Sequence, residues 1–328
     1  MASSLSPWEV SLSALAELRA SYDSALVRVY RDKLTAKARK TAPKAKSASK
    51  SSISEKEIEI TDKVKQFVEL DGWRYTTLPA ILRERATGNG DKRKKGELQY
   101  SNGYVNKDEL VRLMDWKLKH GSFRPALMGL IRSNQEPQVE SVSKDAFSSL
   151  EKCSKSREFP ESSLQLLCKS FRGVGPATAS LVLSLAPQGD TYETPFFSDE
   201  LYYWLCLDLY SPSKQIQKQD LPKLKYNIKE YEDLWNAFSR LRQRIDRLSK
   251  ENEASQGGDI FTMQDIEKIA FVVGHLEATG HDEDDSKVTK LNDSGDTPSK
   301  PLLTNTGLVT TAEKDQGKRT RKRKRQGP

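Results

Sequence analysis

Three cysteines and three histidines are all that 328 residues provide. Cys153, Cys168 and Cys206 show no CxxC spacing, and His120, His275 and His281 are scattered along the chain. Neither a disulfide framework nor a four-cysteine metal or iron–sulfur site fits that supply within one chain. No secretory signal is visible, and no apolar run approaches membrane-spanning length. The expectation is an intracellular protein with no metal site and no membrane contact. A repeat of fixed period is also missing, as is any alternating strand pattern. Charged residues make up 30% of the chain and hydrophobic ones 36%, too polar a mixture to pack from end to end. One folded all-α domain with disordered extensions is therefore expected.

A net charge of +8 suggests an acidic partner, yet its distribution is uneven. Residues 31–50 hold eight Lys/Arg against one Asp, and residues 318–325 hold seven Lys/Arg. The rest of the chain is consequently net acidic. The basic charge belongs to extensions, and the folded part is expected to offer local basic patches at most.

Residues 1–30 form the first region. Within 6–30, Leu12, Leu15, Ala16, Tyr22, Leu26, Val29 and Tyr30 fall on one helical stripe. Ser6 and Pro7 supply a cap and a first-turn residue. This amphipathic helix either packs back on the domain or meets a partner protein. A basic linker, 31–55, has too few apolar groups to fold alone. The folded domain, 56–278, reads as helix after helix. Short helices are predicted in "TDKVKQFVEL" and "TTLPAILRERA", with a charged loop after them. In "NKDELVRLMDWKLKHG" Asn106 and Glu109 form a capping-box pair, Leu110, Leu113, Met114 and Leu118 share a side, and Gly121 stops the helix. Pro125 opens the next, and further helices fit 144–152, 161–170, 176–186 and 199–210. The apolar seam 231, 234, 238, 241, 245, 248 marks a long helix, and Thr262 with Asp265 begins the last. Residues 279–328 lack hydrophobic periodicity. Their basic run 318–325 reads as a nuclear import signal, read by the import machinery, as a non-specific nucleic-acid tether, or as a solvated tail.

The stretch richest in chemistry is 164–186. Two apolar helices flank "FRGVG", and Pro176 sits in the first turn of the second, where its missing N–H costs nothing. Free N–H groups there, with the positive end of the helix dipole, suit a phosphate oxygen. The same turn also suits two helices joined inside a core.

Phe171 to Ala179 resembles the helix-hairpin-helix of the base-excision DNA glycosylase superfamily, whose hairpin reads Leu-Pro-Gly-Val-Gly-x-x-Thr-Ala. Both glycines, Val174, Thr178 and Ala179 match, while Phe171 and Arg172 depart from the pattern. The resemblance covers roughly 105–210 and implies a helix-hairpin-helix fold that holds duplex DNA through Arg172, Gly173, Val174, Gly175, Ala177 and Thr178. It implies a catalytic aspartate at the start of a following helix, here Asp199 in "TPFFSDELYYWL", supporting loss of a base everted from the duplex. Ser198 or Asp199 equally reads as that helix's cap. Phe196, Phe197 and Tyr202 are the implied base pocket. By position, "LKHGSFRP" falls where the family carries a loop that enters the duplex, with Lys117, Lys119, His120 and Arg124 near phosphates and Phe123 as a wedge. A solvated turn fits that loop as well, and Trp116 reads as core.

Some family members carry a lysine two residues after the second glycine for a Schiff base, where this chain has Ala177, and several carry a four-cysteine cluster that it lacks. The implied activity is thus a monofunctional N-glycosylase without an organic cofactor, with room for a monovalent cation at the hairpin carbonyls. A reading of another class is a non-catalytic nuclear scaffold that keeps the fold and docks partners through helix 6–30 or the 231–248 seam.

Overall fold

Ser11 starts the first helix. Its hydroxyl accepts the Ala14 N–H at 3.2 Å and opens α1, Leu12–Ala20. In a computed structural model describing residues 5–41, 50–87, 103–121, 124–187, 193–210, 221–253 and 260–276, every regular element is helical. These residues belong to one compact unit, Met1–Glu283. The charged loop at 88–102 and the tail beyond 276, with its basic run, lie outside the described residues.

The amphipathic segment differs from its expected bounds. Ser6 closes a turn by accepting the N–H groups of Glu9 and Val10, and the chain breaks at Ser21 before α2, Tyr22–Thr41. Residues 31–41, expected in a disordered linker, continue α2 because Lys, Ala and Arg propagate a helix that is already nucleated. Residues 42–49 lie outside the described residues, and α3 resumes at Lys50. Leu15, Tyr22 and Leu26 are buried, so both helices pack back on the domain.

The two short helices expected near 61–86 are one rod. α3, Lys50–Gly72, passes through a π-helical turn at Trp73–Thr77 into α4, Leu78–Thr87. Leu78 N–H reaches the Trp73 carbonyl, and Pro79 supplies no N–H, so the hydrogen-bond ladder shifts there. The wider turn buries three consecutive side chains, Trp73, Arg74 and Tyr75, which one α-helical face does not allow.

α5, Lys107–His120, has the predicted capping box, with Asn106 Oδ1 accepting the Glu109 N–H and Glu109 accepting the Asn106 N–H. Asn106→Ala is expected to cost about 1 kcal/mol, read as a lowered urea midpoint with unchanged slope. α6 is Pro125–Arg132 and α7 Glu136–Ser156, which starts well before residue 144 because Pro137 fills its first turn. α8, Glu161–Ser170, and α9, Pro176–Leu183, flank the hairpin. α10 is Asp199–Leu205, α11 Ile228–Glu253 and α12 Met263–Val273. α12 is the hub: Ile266, Ile269, Ala270, Phe271, Val272 and Val273 are all buried, against α1, α2 and α10. Tyr231, Leu234, Phe238, Leu241 and Ile245 of the α11 seam are also buried, so that seam is core rather than an open docking face.

Candidate nucleic-acid interface and the Asp199 site

The hairpin is built against the end of α6. The Asn134 side chain accepts the Arg172 N–H at 2.8 Å and donates to the Arg172 carbonyl at 3.1 Å and to the Ile131 carbonyl at 2.9 Å. Gly173 then turns the chain with φ +79°, and a Cβ there would lie 2.8 Å from Leu130 Cβ. Only glycine meets both conditions. Gly175 is extended, with φ −113°, and has open space around it. Of the two glycines, only the first needs its conformational freedom.

Val174, Ala177 and Thr178 turn their side chains inward, whereas Arg172 and Gly175 are exposed. What this turn offers outward is therefore main chain and one guanidinium. The N–H groups of Gly173, Val174, Gly175 and Ala177 meet no acceptor among the described residues. They stand at the N-terminus of α9, where the macrodipole favours an anion.

Asp199 is held to α9 by the extended segment before it. The Thr194 hydroxyl donates to the Leu183 carbonyl at 2.9 Å, and the Phe197 N–H donates to Ser180 Oγ at 2.9 Å. The Phe196 N–H donates to Glu267 Oε1 at 2.8 Å, which ties the same segment to α12. Glu267 is in turn paired with Arg74 at 2.9 Å, both side chains being essentially without solvent contact. Arg74 also reaches the Ser184 hydroxyl at 3.0 Å. One buried ion pair thus links the π turn, α9, α12 and the strand-like lead into α10.

Ser198 caps α10, accepting the Leu201 N–H at 3.1 Å. Capping is therefore done by the neighbour, and the Asp199 carboxylate is used otherwise: the Tyr226 hydroxyl donates to its Oδ1 at 2.7 Å. Tyr226 has φ 53°, and both its N–H and that of Lys225 donate to Glu230. Burial first, then the Asp199 charge and hydrogen bond, push the Tyr226 hydroxyl far above the ordinary tyrosine value. It remains a donor throughout the physiological range.

Two cations complete the cluster. Lys117, on α5, places its ammonium 5.8 Å from the Phe196 ring centre, and the Arg124 guanidinium lies 5.6 Å from the Tyr226 ring centre. Burial pushes the Lys117 amine down to about 8, with Asp199 opposing that shift and Arg124 adding to it.

The remaining expected site residues are placed elsewhere. The His120 ring is stacked 4.6 Å from Trp116 and lies 4.6 Å from Phe271, and burial lowers its pKa well below the ordinary value. A neutral interior ring of this kind does not face phosphate. Lys119 is paired with Asp115 at 2.8 Å, and Phe123 lies outside the described residues. Phe197 sits among Tyr202, Tyr226 and Tyr231, 1% exposed, and Tyr202 is buried too. Both rings are buried against neighbouring aromatic rings. Trp116 is core as expected, its N–H donating to Asp71 at 2.8 Å.

The sequence reading missed Tyr226, Asn134, Ser180 and Glu267. A local signal existed for Tyr226: Asn227 caps α11, accepting the Glu230 N–H on Oδ1 at 2.8 Å, and the aromatic precedes it. No known protein family matches the chain, and neither a curated protein nor a solved structure does. Among the described residues, no helix is long and apolar enough to cross a membrane.

Proposed function

We propose that this chain is a nuclear DNA-binding protein of DNA glycosylase type, which grips duplex DNA at the 172–178 hairpin and hydrolyses an N-glycosidic bond at Asp199. The observation that carries the reading is the division of labour at α10: Ser198 does the capping, and Asp199 is left oriented by Tyr226 beside Lys117 and Arg124. Departure of a base builds positive charge on the sugar, and a fixed carboxylate stabilises that charge and orients water. Because Oδ1 is engaged by Tyr226, Oδ2 is the oxygen available to substrate. The hairpin and this carboxylate share α9 as a rigid mount. α6 spans the short distance from Arg124 to Asn134, about 12 Å for a helix of its length. The run 318–325 supports nuclear import and a salt-sensitive tether to DNA.

The test is incubation of the full chain and Asp199→Asn with duplexes carrying uracil, alkylated, oxidised or mismatched bases, followed by heat and alkali to reveal abasic sites. Cleavage by the parent chain alone is expected. Silence across the panel with hairpin-dependent binding intact would favour a non-catalytic scaffold. Tyr226→Phe removes one charge-assisted hydrogen bond, and a loss of roughly tenfold in single-turnover rate is expected with an unchanged melting curve.

A further inference from the structure

The helical stripe that buries Tyr22, Leu26 and Tyr30 does not stop where the core ends. At the same spacing it passes to Lys33, Lys37 and Lys40, so one face of α2 turns from apolar to basic along its length. Over residues 31–41 the helix carries Arg31, Lys33, Lys37, Arg39 and Lys40 against a single acid, Asp32, and all of these cations except Lys33 are exposed. The helix dipole favours cations in the last turn alone, and this run of charge begins about two turns before it. Lys33 shows which way the stripe faces. Its ammonium donates to the carbonyls of Lys119 and Gly121 at the end of α5. Asp115, on the same turn of α5, is already held by Lys119 at 2.8 Å. Gly121 closes α5, and Arg124, three positions on, precedes α6 with its guanidinium by the ring of Tyr226, whose hydroxyl holds Asp199. Beyond the other end of α6, Asn134 seats the hairpin. The stretch expected to be a loose linker is instead a helix fixed at its root to the edge of the site.

We infer that residues 31–41 of α2 are a basic arm that holds the phosphate backbone of duplex DNA beside the Asp199 site, chiefly through Lys37 and Lys40. That the polyanion is DNA rests on the reading above, whereas the charge of the arm and its anchoring do not. From Lys33 to Lys40 the helix rises about 10 Å at 1.5 Å per residue. One strand of a duplex presents about three phosphates over that length, at roughly 3.4 Å each. Lysine suits such a contact, being a compact charge on a flexible stem that follows a backbone without reading bases. Because α2 is already helical and fixed at Lys33, little chain entropy is lost when the duplex arrives. The arm adds affinity and sets register, and it confers no sequence preference. Its root beside Arg124, with the hairpin at the far end of α6, favours DNA over an acidic protein surface.

Fluorescence anisotropy of a labelled undamaged duplex, titrated with the full chain at several salt concentrations, tests the arm. Lys37→Gln combined with Lys40→Gln keeps two good helix formers, so an unchanged melting curve is expected. Losing two phosphate contacts is expected to flatten the salt slope by about 2, so that between about 50 and 200 mM salt the variant loses roughly tenfold less affinity than the parent. Gly175→Ala, which acts at main-chain donors, is expected to weaken binding while keeping the parent's slope. An unchanged slope in the lysine variant, with Gly175→Ala still weakened, overturns the arm and leaves the hairpin reading standing. A flattened slope with Gly175→Ala binding at full strength supports the arm and removes the hairpin. No binding by the parent chain overturns the DNA reading and the arm with it. Lysine acetylation read by mass spectrometry locates the contact. With duplex at about ten times its Kd, Lys40 is expected to be protected roughly tenfold, and the exposed Lys152 of α7 is expected to label as before. Equal labelling of Lys40 with and without duplex overturns the assignment. Protection by polyglutamate but not by duplex overturns it too, and gives the arm to an acidic protein.

Discussion

Arg74→Met is expected to lower the thermal midpoint by roughly 10 °C, because removing one partner of a buried ion pair costs about 3–5 kcal/mol in a domain of this size. The substitution leaves the Glu267 carboxylate in the interior with the Phe196 N–H and the Tyr75 hydroxyl as donors but without its paired cation. It also removes the guanidinium from the faces of Tyr75 and Trp116, 4.2 and 5.1 Å from their ring centres. Met fills much of the volume, so the lost charge rather than a cavity dominates the cost. Arg74→Met combined with Glu267→Leu is expected to recover part of that stability, since no charge is then stranded. The double variant still leaves the Phe196 N–H without its acceptor, so the activity proposed for Asp199 is expected to fall even where stability returns. Differential scanning calorimetry of the two variants checks the first statement. A midpoint change under 2 °C for Arg74→Met would show that the pair holds nothing together.

The two hairpin glycines are expected to fail in different ways. Gly173→Ala puts a side chain into the left-handed region and into Leu130, and a stability loss of about 1–3 kcal/mol follows from strain and overlap together. Gly175→Ala meets neither obstacle inside the chain. Its methyl group projects into open space beside the start of α9, where the phosphate is proposed to sit. Unchanged melting is expected there, with DNA binding weakened roughly tenfold, the equivalent of about 1.4 kcal/mol at one phosphate contact. Paired melting curves and fluorescence-anisotropy titrations at fixed salt separate the two. Full binding by Gly175→Ala would remove the main-chain phosphate hook.

Local patterns reached the helices that cap themselves and bury one regular face. α5 carries both its capping box and its Gly121 stop in adjacent residues, and α8 lies at its predicted bounds. α2 was missed beyond residue 30 because its continuation is exposed and polar, so hydrophobic periodicity has nothing to report although propensity suffices. The π turn escaped because a window of apolar spacing assumes one repeat per element, whereas burial of Trp73, Arg74 and Tyr75 requires a local change of pitch. For the site, sequence marked Asp199 through one motif and Lys117 with Arg124 through another. Their convergence depends on α5 and the lead into α10 meeting over Phe196, a tertiary fact. The aromatic neighbours of Asp199 were read as a pocket because composition does not say which face a ring presents, and packing against Tyr231 and Tyr202 decides it.

The N-terminal helices are wedged among the elements synthesised last. The Ser6 hydroxyl donates to Asp208, Trp204 donates to the Leu5 carbonyl, Arg19 donates to the Ile260 carbonyl, and the Tyr22 ring packs 5.6 Å from Phe271. During translation α2 finds α3 soon after it emerges, with the Tyr30 and Phe67 rings 4.2 Å apart, but α1 has its main seat only once α12 leaves the ribosome. Such closure has a high contact order and delays the committed step until α12 is made. Lys33, which clamps the end of α5, rides on α2. The Glu267 tie to Phe196 and Arg74 also waits for α12, so a nascent fragment carries the hairpin sequence without the completed site.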